Sequence, residues 1–112
     1  MNKLTDPPGK GVWQNKGVKA VRKEDLEGLL ARGALVVDVR PKEKRTTPLP
    51  FPALWLPVEA IQKGAYELPR DRPILLVCEK GLISQVAGLY LESDGYGEVY
   101  SLEGGLSALT KG

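Results

Sequence analysis

The chain has no histidine, a single cysteine and no arginine after Arg72, and each absence removes a chemistry. Without imidazole there is no Ser-His-Asp triad, no Cys-His pair and no histidine-ligated zinc. One thiol cannot close an internal disulfide, and it makes a cysteine-rich metal site untenable. No metal and no cofactor is therefore expected. Long apolar runs are missing too: the longest, 74–78, falls far below the ~20 residues of a membrane span. Met1-Asn2-Lys3-Leu4-Thr5-Asp6 holds no apolar segment suited to a secretory signal, so a cytoplasmic location without a membrane partner is expected. The net charge of +2 is uneven, with four lysines against Asp6 in residues 1–20 and a net −1 in the remainder. The body lacks the clustered Lys and Arg that track phosphates, which argues against a nucleic-acid partner.

What is present describes one soluble domain. At 112 residues, 42% apolar and 27% charged, the chain buries one core and hardly two. Residues 1–17, with Pro7-Pro8-Gly9, Gly11 and Gly17, read as an irregular basic leader in which Trp13 is expected to anchor onto the domain. Residues 18–112 are expected to form that domain. The spacing of Leu26, Leu29 and Leu30 predicts a helix over 23–32, with acids in its first turn and Gly33 beyond its end. Leu35-Val36-Val37-Asp38-Val39 predicts a strand covered on both faces, and Ala53-Leu54-Trp55-Leu56 a second one. Pro57 opens a short helix through Lys63, and 74–77 is the central strand. Ser84 is expected to cap a helix to Asp94 that buries Val86, Leu89 and Tyr90; a last strand covers 98–101 before Gly104-Gly105 and a terminal helical turn. Strands alternating with helices imply an α/β fold, a mostly parallel central sheet with helices on both faces. Ligands of such sheets bind beyond the carboxyl ends of the strands.

Cys78 stands at one of those ends, followed by Glu79-Lys80-Gly81-Leu82-Ile83-Ser84 and a helix start. Backbone N–H groups converge on anions at such places, and the thiolate is the reactive form of cysteine. A helix terminus alone contributes only about 0.3–1 kcal/mol when exposed and up to ~2 when partly buried. Several inward N–H groups at a partly exposed thiol are therefore expected, with Gly81 permitting the backbone angles they need.

Four blocks, in this order and spacing, carry a resemblance: Asp38-Val39-Arg40 ending a strand, Trp55-Leu56-Pro57, Val77-Cys78-Glu79-Lys80-Gly81, and Tyr100-Ser101-Leu102-Glu103-Gly104-Gly105. Together they resemble a single-domain rhodanese, over roughly residues 18–109. The resemblance implies a three-layer rhodanese-like fold around a five-stranded parallel sheet. It also implies a sulfurtransferase whose Cys78 takes sulfur from a donor anion such as thiosulfate, as a persulfide, and yields it to cyanide, a thiol or a thiol-bearing protein. Glu79, Lys80, Gly81, Leu82, Ile83 and Ser84 become the anion cradle, with Lys80 a candidate for holding the donor. Asp38 is expected to satisfy loop N–H groups, and Arg40 to pair with a carboxylate such as Glu43 or Glu103. Lys44 and Arg45 are candidates for a cation from the neighbouring loop. Two departures stand out: Glu79 replaces a basic residue beside the cysteine, and Ile83 stands where many single-domain members carry Arg. The alternative is a non-catalytic module that carries sulfur or binds a partner. The phosphatase use of this scaffold is excluded, because neither Ile83 nor Ser84 is the arginine that grips the transferring anion.

Overall fold

The short apolar runs assemble into one sheet whose five strands are all parallel. The computed structural model describes residues 18–110, so the readings of residues 1–17, Trp13 and residues 111–112 lie outside it. In chain order the elements are β1 Lys19–Val21, α1 Leu26–Ala31, β2 Leu35–Asp38, β3 Leu54–Trp55, α2 Val58–Gln62, β4 Ile74–Val77, α3 Ile83–Ser93, β5 Val99–Leu102 and α4 Gly105–Thr110. Sheet order is β1-β5-β4-β2-β3, which places β4 at the centre.

Strand period decides the layers. Ile74, Leu76 and Cys78 point to one face, where Val37, Val39 and Ile61 of α2 join Ala87 and Leu91 of α3. Leu75 and Val77 point to the other, against Leu26 and Leu29 of α1 and Leu106 of α4. Every residue of β4 is fully buried, as a parallel strand with helices on both faces requires. Among the described residues no helix is long and apolar enough to cross a membrane.

Three expectations need correction. The helix after Cys78 exposes Val86, Leu89 and Tyr90 at 43%, 57% and 44%, and buries Ser84, Ala87, Gly88 and Leu91 instead. Small residues face inward because Val18, just before β1, approaches closely: a Cβ at Gly88 would fall 2.4 Å from a Val18 methyl. Ser84 is not the cap either. Leu82 holds that position and the Ser84 hydroxyl turns into the core. The run at Trp55 is an edge strand of two residues, with Leu54 45% and Trp55 38% exposed, because β2 is its one partner in the sheet. β1 escaped the pattern altogether; it has three residues and buries Val21 alone.

Candidate active site

Parallel strands bring their carboxyl ends to one edge, so β2 delivers Asp38 and Arg40 beside Cys78 from β4 and Ser101 from β5. Cys78 extends the inward alternation of β4 by one step and faces the start of α3. Its sulfur accepts hydrogen bonds from the Gly81 amide at 3.1 Å and the Ser84 amide at 3.3 Å. The thiol in turn lies 3.5 Å from the Ser84 hydroxyl, which shares a 2.6 Å hydrogen bond with Ser101. Cys78 is only 1% exposed, not partly exposed as the sequence led us to expect, because the chain from Glu79 to Ile83 folds back over it.

The carbonyls explain how the amides come to point inward. Leu106 N–H donates to the Cys78 carbonyl at 2.8 Å, and Ser107 N–H to that of Glu79 at 3.0 Å. The Gln85 side chain donates to the Gly81 carbonyl at 3.0 Å. With these carbonyls held outward by α4 and α3, the loop turns N–H groups toward the sulfur. Gly81 adopts φ +84, a conformation that side chains rarely take. Gly105 lets the loop lie on the turn after β5: a Cβ there would sit 2.5 Å from the Glu79 carbonyl oxygen and the Gly81 nitrogen. An anionic sulfur is what such a ring of amide dipoles stabilises.

Charges around the loop are mostly paired. Asp38, fully buried, accepts from the Arg40 amide at 3.1 Å and from Arg40 Nε and Nη2 at 2.9 and 3.0 Å. Arg40 Nη1 bridges the Thr47 carbonyl at 2.9 Å and the Glu79 carboxylate at 3.3 Å. Hydrogen bonding to Asp38 holds the Arg40 guanidinium above its ordinary pKa, against the opposing effect of burial. Glu79 also accepts from the Thr47 hydroxyl, so its carboxylate is turned toward Arg40 and Thr47. Arg45 lies 4.5 Å over the Trp55 ring and 3.3 Å from Asp38, while the Trp55 indole donates to the Arg40 carbonyl at 2.8 Å.

Above the loop opens a cleft of about 560 Å³. Lys80, Leu82, Ile83 and Glu79 line it from the loop, and Arg40, Glu43, Lys44 and Thr46 from the segment after β2. Lys44 thus faces the cleft, whereas Arg45 lines a neighbouring depression with Lys42 and Pro48. Arg40 pairs with neither Glu43 nor Glu103, since Asp38 two residues upstream and Glu79 already occupy its fork. Asp38 spends its carboxylate on Arg40 and Arg45 rather than on the cysteine loop. Sequence reasoning missed Ser101, Thr47 and the role of Gly105. The double glycine was the one available signal, since adjacent glycines mark close backbone approach.

The chain is similar in sequence and overall fold to known proteins. A rhodanese homologue of solved structure from the extreme thermophile Thermus thermophilus is 66% identical with TM-score 0.75, covering 80% of this chain and 99% of that one. A sulfurtransferase of Allochromatium vinosum is 37% identical over 93 residues, 81% of this chain and 87% of that protein. The thiosulfate sulfurtransferase GlpE of Pseudomonas syringae is 34% identical over 88 residues, 78% and 82% of the two. The family model of the rhodanese-like domain matches residues 22–111. The chain therefore belongs to the rhodanese-like domain family.

Proposed function

We propose that this protein is a sulfurtransferase in which Cys78 carries sulfur as a persulfide between a small sulfane donor and a thiophilic acceptor. The observation that carries the reading is the pair of amides, from Gly81 and Ser84, donating to the one sulfur of the chain's single cysteine. Relatives named sulfurtransferase support a sulfur donor and a thiol acceptor in general. With thiosulfate, the Cys78 thiolate attacks the outer sulfur, the S–S bond breaks, and its electron pair leaves on sulfite. The enzyme then holds an anionic persulfide. Cyanide or a thiolate takes the outer sulfur, as thiocyanate or a new persulfide, and returns the Cys78 thiolate.

Negative charge is present in donor, intermediate and both transition states, so preorganised amides act where charge develops. The Lys80 and Leu82 amides make no hydrogen bond among the described residues, which leaves them available to the second sulfur. Lys80 and Lys44, both exposed and lining the cleft, are assigned to attracting the anionic donor. Asp38 and Arg40 are assigned a positioning role, the latter tying the end of β2 to the cysteine loop through Glu79.

One observation favours the other reading, a module that holds sulfur or a partner without turnover: Cys78 is 1% exposed. A sulfane donor panel with cyanide as acceptor separates the two. Repeated thiocyanate release per protein molecule is expected. Release of one equivalent and no more indicates a passive carrier, and no release from any donor favours the partner-binding module over the enzyme.

A further inference from the structure

Sulfur reaching Cys78 from the cleft meets walls poorly suited to a dianion. The cations of the cleft are Arg40, Lys44 and Lys80, and its acids are Glu43 and Glu79. Arg40 offers a ligand little, because its side chain is 2% exposed and Asp38, Glu79 and the Thr47 carbonyl take four of its five N–H donors. Asp38, fully buried behind it, is shared with Arg45, so four cations face three carboxylates and the formal excess is one positive charge, short of a dianion's two. The loop contributes apolar surface instead. Leu82 is 68% exposed at the cleft, and Ile83, half-buried, packs from the cleft onto the core cluster that contains Cys78.

Thiosulfate would bring two charges and no carbon toward a thiolate, where amides but no free guanidinium receive it. Charges taken out of water need direct partners, whereas apolar surface needs only contact. We propose that the preferred donor is an organic sulfane compound, whose outer sulfur is joined through a second sulfur to a carbon body and which carries at most one negative charge. Leu82 and Ile83 set that preference by contacting the carbon body. The inference rests on the persulfide reading above and narrows its donor class. For a donor R–S–SH, the Cys78 thiolate bonds to the outer sulfur, the S–S bond breaks, and its electron pair leaves as R–S⁻. Cys78 is left as Cys–S–SH, so atoms and charge balance.

Benzenethiosulfonate and thiosulfate are the probes, because both bear their outer sulfur on a sulfonyl-type sulfur and differ in charge and carbon body. With cyanide as common acceptor, kcat/KM for benzenethiosulfonate is expected to exceed that for thiosulfate by at least about tenfold. Ile83→Arg supplies the absent cation and is expected to shift that ratio toward thiosulfate by about tenfold or more, chiefly through the thiosulfate KM. Leu82→Ala, which trims a side chain 68% exposed and keeps the backbone amide, should lower the ratio several-fold, with the larger loss in kcat/KM for benzenethiosulfonate. A ratio at or below one in the unaltered protein, or a ratio unmoved in both variants, overturns the donor assignment while the persulfide reading stands. Absence of added sulfur on Cys78 after both donors overturns the persulfide reading and the donor assignment together.

Discussion

Cys78→Ser is expected to abolish thiocyanate release from every sulfane donor while leaving the domain folded. Serine keeps an acceptor where the Gly81 and Ser84 amides donate, so the site stays hydrogen-bonded. The stability cost is then of the order of one hydrogen bond's net worth, about 1 kcal/mol, which lowers Tm by roughly 4–8 °C in a domain of this size. A hydroxyl cannot form the persulfide, and the chain offers no second thiol to take over. A thermal melt followed by circular dichroism, run beside the thiocyanate assay, checks both halves. Residual turnover in a folded Cys78→Ser protein would mean that sulfur travels by a route that bypasses this residue.

Gly105→Ala has the second large effect, because it strikes the loop from below. The added Cβ would fall 2.5 Å from the Glu79 carbonyl oxygen and the Gly81 nitrogen, and 2.6 Å from the Cys78 carbonyl oxygen. All three are backbone atoms, so no side-chain rotation relieves the collision. At φ +68 the alanine also takes a conformation that costs of order 1–3 kcal/mol by itself. The loop must lift, and the Gly81 amide leaves the sulfur. Losing one preorganised donor to an anionic transition state lowers kcat by about 10²–10³-fold. Gly104→Ala is the paired control. Its φ is +77, but its Cβ would meet only the Ala108 methyl, at 3.0 Å. It should therefore lose only the stability that the positive φ costs, less than Gly105→Ala loses, and keep most of its activity. Equal activity losses in the two variants would show that the turn matters for folding alone.

The parts of this site legible in the sequence were those written in local chemistry. A cysteine on the last step of an apolar run, followed by a glycine loop, gave its place at the carboxyl edge of the sheet. The Asp38, Cys78 and Gly104-Gly105 blocks gave the family. What stayed hidden depends on pairing across distance. Arg40 turned to its near neighbour Asp38 and to Glu79, 39 residues on, a choice that charge alone did not dictate. The Ser84–Ser101 hydroxyl pair joins residues 17 apart that become neighbours only once α3 lies on β5. The exposed face of α3 misled for a related reason. Leucine and tyrosine spacing marks an apolar stripe, but the close approach of Val18 reserves the inner face for Ala87 and Gly88. Burial of Cys78 was missed because a loop written with glycine and lysine looks open, although backbone contacts with Gly104 and Gly105 press it shut.

Peptide mass spectrometry after treatment with thiosulfate or benzenethiosulfonate addresses the central assignment most directly. One additional sulfur is predicted on the peptide that contains residue 78, and cyanide should remove it. Recovery of that peptide unmodified after both donors, in protein shown to be folded, would contradict the account.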